Sequence, residues 1–222
     1  MPGWDATAGV IVGSTGVLLV DTGSTVAEGA ELAHDVRELF GRSVTHIALT
    51  HPHFDHVFGT AAFPGAEVYG AVGAAELMRR EREELRLDAE RYGLPPAAAA
   101  EAAERLVAPR HPVSGELTLD LGGGRQALLA NLGPAHTAHD LAVFVAGRGG
   151  APEVVFCGDV VEESGEPQAG PDALPRRWPA ALDRLLELGG ESAVYVPGHG
   201  AVVDAAFVRA QRDALAARFG VS

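Results

Sequence analysis

Cys157 is the only cysteine in 222 residues, which excludes an internal disulfide framework and points to a reducing compartment. No apolar run approaches the length of a membrane span, so a membrane is not an expected partner. Met1-Pro2-Gly3-Trp4-Asp5 lacks the basic start of a secretory signal, and the expected location is the cytoplasm. Basic residues are scarce too: 17 Lys plus Arg stand against 30 Asp plus Glu, a formal net charge of −13. Nucleic acid needs a basic footprint for its phosphates, and no run here supplies one. There is no Gly-x-Ser-x-Gly elbow, and Cys157 sits in a stretch that reads as a buried strand, so no side-chain nucleophile is expected. The 47% hydrophobic share suits a compact α/β enzyme acting on a small molecule, as a monomer or dimer.

Histidine is what the chain concentrates. His51, His53, Asp55 and His56 fall in the run Thr50-His51-Pro52-His53-Phe54-Asp55-His56, directly after the apolar His46-Ile47-Ala48-Leu49. Three imidazoles and a carboxylate crowded at a strand exit leave polar atoms poorly paired unless a cation draws them together. Imidazole nitrogen and carboxylate oxygen suit zinc, iron and manganese. Side chains in a turn diverge, so His51 and His53 aim at one point while Asp55 and His56 aim at another, which predicts two metal positions. Each position needs further ligands. Three candidates end apolar runs elsewhere: His136 after Asn131-Leu132-Gly133-Pro134-Ala135, Asp159 after Val154-Val155-Phe156-Cys157-Gly158, and His199 after Val194-Tyr195-Val196-Pro197-Gly198. His34, His46 and His111 have ordinary explanations: a helical pattern, a strand start, and a linker before Pro112. His139, close to His136, is a candidate to line the site.

Periodicity supplies the rest of the architecture. Val10–Val12 and Gly16–Val20 read as a hairpin, Val26 to Phe40 as a helix ended by Gly41, and Thr45 to Thr50 as the strand that delivers the histidines. Glu67–Tyr69 is a short strand. Ala74 to Tyr92 reads as one helix with an apolar stripe through Ala74, Leu77, Met78, Leu85, Ala89 and Tyr92. Its solvated face predicts i,i+4 pairs of Glu76 with Arg80 and Arg80 with Glu84. Another helix covers Ala97 to Leu106. Strands follow at Leu117–Leu121, Gln126–Asn131, Leu141–Ala146 and Val154–Cys157, then a helix at Trp178–Leu188, a strand at Ala193–Val196 and a last helix at Ala205–Phe219. Ligand candidates spread from His51 to His199 require one core, hence a single domain over 1–222 with a helical insertion at about 74–110. Two sheets packed face to face with helices outside are expected.

These residues resemble the metallo-β-lactamase superfamily through five separate segments, including Val20-Asp21-Thr22-Gly23 after the early strand. The resemblance implies the four-layer αββα sandwich fold. It further implies that His51, His53 and His136 bind a first metal, that Asp55, His56 and His199 bind a second, and that Asp159 bridges both. This set is closest to the glyoxalase II-like and general metallohydrolase branch. The best-known β-lactamases of the family carry a cysteine at the place of Asp159 and an arginine at the place of His56.

The expected function is a dinuclear zinc hydrolase, with iron or manganese as alternative metals. A water held between two divalent cations loses its proton near neutral pH, and the hydroxide attacks an ester, thioester, lactone or related bond. Asp55 and Asp159 are the candidate catalytic carboxylates, Asp159 also helping to protonate the leaving group. Asp21 is expected either to orient a ligand histidine or to cap its turn. Two stretches are candidate pocket walls. One is the 74–110 helices. The other is the Gly- and Pro-rich loop ending in Arg176-Arg177-Trp178, where either arginine is placed to bind an anionic group and Trp178 to line the pocket. The competing functions are a mononuclear iron oxygenase resembling the persulfide dioxygenases and a non-catalytic metal-binding module.

Overall fold

The computed structural model describes residues 6–221, and Met1–Asp5, where the absence of a signal was read, lie outside them. The first half contains β1 (Gly9–Val12), β2 (Val17–Val20), α1 (Val26–Phe40), β3 (His46–Ala48), α2 (Phe54–Val57), β4 (Glu67–Ala71), α3 (Ala74–Arg80), α4 (Arg82–Arg91), α5 (Pro96–Glu104) and β5 (His111–Val113). The second contains β6 (Glu116–Asp120), β7 (Gln126–Gly133), β8 (Asp140–Val145), β9 (Val154–Glu162), α6 (Trp178–Gly189), β10 (Val194–His199) and α7 (Ala205–Phe219). One five-stranded sheet runs β1-β2-β3-β4-β5 and the other β10-β9-β8-β7-β6.

Alternation along β2 shows how the layers arise. Leu18 and Val20 face a core shared with Leu119, Leu129, Leu141 and Val143 of the second sheet. Leu19 points the other way, into a cluster with Ala33 of α1, Met78 of α3, Leu85 of α4 and Ala102 of α5. Behind the second sheet, Val155 and Tyr195 pack with Trp178, Leu182 and Leu185 of α6 and Val208 and Leu215 of α7. Three cores between four layers make an αββα sandwich. Among the described residues, no helix is long and apolar enough to cross a membrane.

Helix α1 has the predicted limits because both ends are chemically marked. Thr25 Oγ1 accepts the Glu28 N–H at 3.0 Å, and the Glu28 carboxylate accepts the Ser24 N–H at 2.7 Å. Gly41 ends it at φ 64°, a left-handed conformation that glycine adopts without steric cost. Tight packing seats α1 against the segment following α2: a Cβ on Gly29 would lie 2.2 Å from the Gly59 carbonyl oxygen.

Several expectations need correction. The helix expected over Ala74 to Tyr92 breaks at Glu81 (φ −103°, ψ 19°) into α3 and α4. Arg80 bonds Glu81 at 2.8 Å rather than Glu84, and Tyr92 on the expected stripe is exposed. His111 opens β5 instead of lying in a linker. Pro112 is tolerated there because β5 is an edge strand and one side of it needs no N–H donor. The strand expected to stop at Cys157 continues to Glu162, paired in parallel with β10 across a register shift.

Candidate metal centre

All the candidate ligands converge at one end of the two sheets. β3 hands the chain through Leu49 and Thr50 to His51, His53 takes the N-cap position of α2, and Asp55 and His56 occupy its first turn. His136 lies in the loop between β7 and β8, and His199 is the last residue of β10. Asp159 sits inside β9 rather than beyond a strand tip.

Two groups form with Asp159 between them. His51 Nε2 and His136 Nε2 each lie 3.1 Å from His53 Nδ1, and Asp159 Oδ2 is 3.7 Å from the first and 3.5 Å from the second. In the other group, Asp55 Oδ2 is 3.3 Å from His199 Nε2 and 3.5 Å from His56 Nε2, and those two nitrogens are 3.4 Å apart. Asp159 reaches this group as well, with Oδ1 3.2 Å from His56 Nε2 and Oδ2 3.4 Å from His199 Nε2. Glu162 joins Asp159 and His199 in a third possible ligand set that nothing in the sequence pattern marked.

The donor set fits a metal on its own chemistry. A neutral imidazole offers one N–H and one lone pair, so His53 Nδ1 cannot satisfy two facing imidazole nitrogens that both point at the same spot. Asp159 Oδ1 is buried, and His56 Nε2 faces it at 3.2 Å without a well-aligned hydrogen bond. Cations at these points would satisfy both mismatches.

The electrostatics are correspondingly polarised. Burial, then His56, holds His51 well below the ordinary imidazole value, and burial brings His136 down to about 4. Burial also works against protonating His56 and His199, but carboxylates prevail: Asp159, Asp55 and Asp21 raise His56 well above its usual value, and Asp159 with Asp55 brings His199 to about 10. Asp159 is held well below the carboxylate range despite its burial, because His56 and His51 surround it. Cys157 takes no part. Burial pushes its thiol far up, and its Sγ donates to the Val155 carbonyl.

Supporting groups hold the ligands in place. Asp21 Oδ2 lies 2.9 Å from His56 Nδ1 and accepts from Thr50 Oγ1 at 2.7 Å, while Oδ1 accepts from the Thr50 N–H at 2.8 Å. Asp21 thereby ties the end of β3 to a candidate ligand. Its backbone is left-handed at φ 59°. Asn tolerates that conformation, so Asp21→Asn isolates the carboxylate. The expected result is metal affinity about 10- to 100-fold weaker, measured by competition with a chelating dye. Buried Asp140 plays the corresponding part for the His136 loop, accepting from the N–H groups of Ala135 and Thr137 and from Thr137 Oγ1, and burial pushes its carboxyl up to about 7. Asp172, from the loop after β9, lies 2.9 Å from the outer nitrogen of His53. Asp140 and Asp172 were not singled out in the sequence. An Asp shortly after a candidate histidine was available as a signal for Asp140, whereas Asp172 meets its histidine only through the fold.

Above the centre lies a cavity of about 510 Å³ whose floor includes His53, Asp55, His136, Asp159 and His199. Leu77 of α3, Glu81 at the break, and Glu84, Leu85, Asp88 and Arg91 of α4 form one wall, so part of the 74–110 segment borders the cavity. The expected substrate contacts lie elsewhere. Arg176 and Arg177 are exposed at the start of α6, and neither lines the cavity. Trp178 is fully buried behind His136, its ring edge-on at 5.4 Å and its indole N–H donating to the Val160 carbonyl. His139 turns to the Val72 carbonyl, with Nδ1 2.8 Å from it.

An αββα sandwich with clustered His and Asp groups at one end defines a class of metal-binding proteins. The chain belongs to one family of that class, the metallo-beta-lactamase superfamily, whose profile matches residues 1–199. Among solved structures it is similar to a metallo-beta-lactamase from Pontibacter korlensis, with 21% identity and a TM-score of 0.74 over 95% of this chain and 86% of that one. It is also similar to the metallo-beta-lactamase FIM-1 from Pseudomonas aeruginosa in its mono-zinc form, with 18% identity and a TM-score of 0.73 over 98% of this chain and 85% of that one. At these identities the likeness to the two structures concerns the fold.

Proposed function

We propose that the protein is a dinuclear zinc hydrolase of small-molecule esters, thioesters, lactones or related bonds, of the glyoxalase II-like and general metallohydrolase kind. The observation that carries this reading is the pair of His/Asp groups sharing Asp159 on the floor of one cavity. His51, His53 and His136 would hold one zinc, Asp55, His56 and His199 the other, and Asp159 both. Zinc bound there supplies Lewis acidity and lowers the pKa of water toward neutrality. Asp159, at the cavity floor, would help protonate the leaving group. Asp55 keeps His56 and His199 aligned, and Asp21 fixes His56 from behind. The 510 Å³ cavity suits a small molecule. Membership of the hydrolase branch is supported by Asp159 and His56 standing where the lactamases of the resemblance carry cysteine and arginine.

A mononuclear iron oxidoreductase resembling the persulfide dioxygenases is the second reading, favoured by the two-imidazole, one-carboxylate set of Asp55, His56 and His199. Elemental mass spectrometry on untagged protein separates the two. About two zinc ions per chain, with hydrolysis across an ester, thioester and lactone panel, is the expected result for the proposed hydrolase. One iron per chain without such hydrolysis would replace it with the iron reading.

A further inference from the structure

One carboxylate beside the centre is only half used. Glu162 ends β9 and is the register partner of His199 on β10. It is 8% exposed and lines the cavity. Its Oε1 accepts both the Ser164 N–H at 3.1 Å and the Ser164 hydroxyl at 2.5 Å, whereas its Oε2 has no hydrogen-bond or ion partner among the described residues. Bonding to Ser164 accounts for the first oxygen and leaves the second unexplained. A carboxylate set this deep is costly unless a donor or a cation meets it. The backbone beneath it is held in place. Buried Gln211 of α7 accepts the Glu162 N–H at 3.0 Å and donates to the Val160 carbonyl at 2.8 Å, which fixes β9 between Asp159 and Glu162. Asp159, Glu162 and His199 each offer a ligand atom, and these atoms lie within 4.8 Å of one another.

We infer that Glu162 is a further ligand of the second metal position, its Oε2 meeting the cation that Asp55, His56, His199 and Asp159 would hold. The inference deepens the two-metal reading and rests on it for the presence of that cation. The Ser164 bonds then do what outer contacts usually do for a metal-bound carboxylate: they occupy one oxygen and aim the other. A third carboxylate also offsets more of the repulsion between two closely spaced divalent cations. The two positions come to differ in kind, with three imidazoles and one carboxylate at the first and two imidazoles and three carboxylates at the second. An ion whose absorption depends on its donors therefore tells them apart.

Cobalt(II) titrated into the chelator-stripped full chain is the test, because its visible absorption reports the number of donors independently of turnover. The native protein is expected to take up two cobalt ions with separate spectra. Glu162→Gln keeps an acceptor for Ser164 and removes the anionic oxygen. In that variant the second cobalt should bind about 10- to 100-fold more weakly, and its absorption should intensify as one donor is lost. The first cobalt should keep its affinity and its spectrum. Ser164→Ala retains the carboxylate and removes one of its bonds, so it should weaken the second cobalt less and leave its spectrum native. Weaker binding in Glu162→Gln with an unchanged spectrum would mean that Glu162 acts through charge at a distance, and would overturn the inference. Native affinities and spectra in that variant, or the same spectral change in Ser164→Ala, would overturn it too. A single cobalt per native chain would overturn it together with the two-metal reading. Two cobalt ions without hydrolysis of any ester, thioester or lactone would overturn the hydrolase reading and leave the Glu162 result standing.

Discussion

Asp159→Ala is expected to lose metal affinity by more than about 100-fold, beyond the range for a supporting residue, and to lose hydrolytic activity with it. The reason is position. Among the described residues, Asp159 is the one carboxylate within reach of both His groups, lying 3.2 to 3.7 Å from nitrogens of His51, His56, His136 and His199. Without it, the first group is reduced to three imidazoles, and two divalent cations a few Å apart lose the anion that offsets their repulsion. The fold should survive, because the described contacts of this side chain are to histidines and not to the backbone scaffold. The comparison to make is with native protein stripped by a chelator: circular dichroism and thermal midpoint should match it. Elemental analysis and ester turnover at saturating zinc complete the measurement. His53→Ala should behave similarly, since His53 is only partly buried and lies at a helix N-cap. Native-like activity and metal content in either variant would overturn the two-metal reading.

The part of the site that is local in sequence was legible, and the part made by the fold was not. His51, His53, Asp55 and His56 share one turn, and His136, Asp159 and His199 each follow an apolar run, so their chemistry stands out without knowing any contact. Asp21 was legible through the family resemblance of Val20-Asp21-Thr22-Gly23, which left its orienting and turn-capping roles open. Glu162 and Asp172 lie in a stretch whose composition says only loop, and they reach the centre because β9 runs on alongside β10 and because the loop folds back on His53. The cavity wall shows the converse. Ala74 to Tyr92 has helical periodicity throughout, but no proline or glycine announces the break at Glu81, beyond which α4 packs against α2 and α5. That break puts Glu81 and Glu84 on the cavity. The four-residue α2 was invisible because one turn has too few positions to show a period. Capped helices were read almost to the residue: Thr25 and Gly41 mark α1, and Asp204 accepts the Phe207 N–H at the start of α7.

A second large effect should come from a residue that binds nothing. Gly198 lies between Pro197 and His199 on β10, where the parallel pairing with β9 shifts register. A Cβ placed on it would lie 1.9 Å from Asp159 Oδ1, with Gly158 C at 2.9 Å and Asp159 N at 3.0 Å behind it. Its backbone is not in the left-handed region, so alanine meets no conformational penalty there, and space alone decides the outcome. Two responses are open to Gly198→Ala. The strands could separate, which the surrounding close packing resists at a cost of about 1–3 kcal/mol, or the carboxylate could rotate out of the position it shares between the two groups. Rotation is the smaller movement. Gly198→Ala should therefore keep every candidate ligand and most of the stability yet bind metal about 10- to 100-fold more weakly, with hydrolysis falling in parallel. Gly165→Ala is the control, since nothing lies within 4 Å of its would-be Cβ, and it should leave metal affinity unchanged. Metal affinity in Gly198→Ala equal to that of the control would mean that the Asp159 carboxylate is not held where the metals need it, and its bridging role would have to be reassigned, with Glu162 the nearest alternative donor.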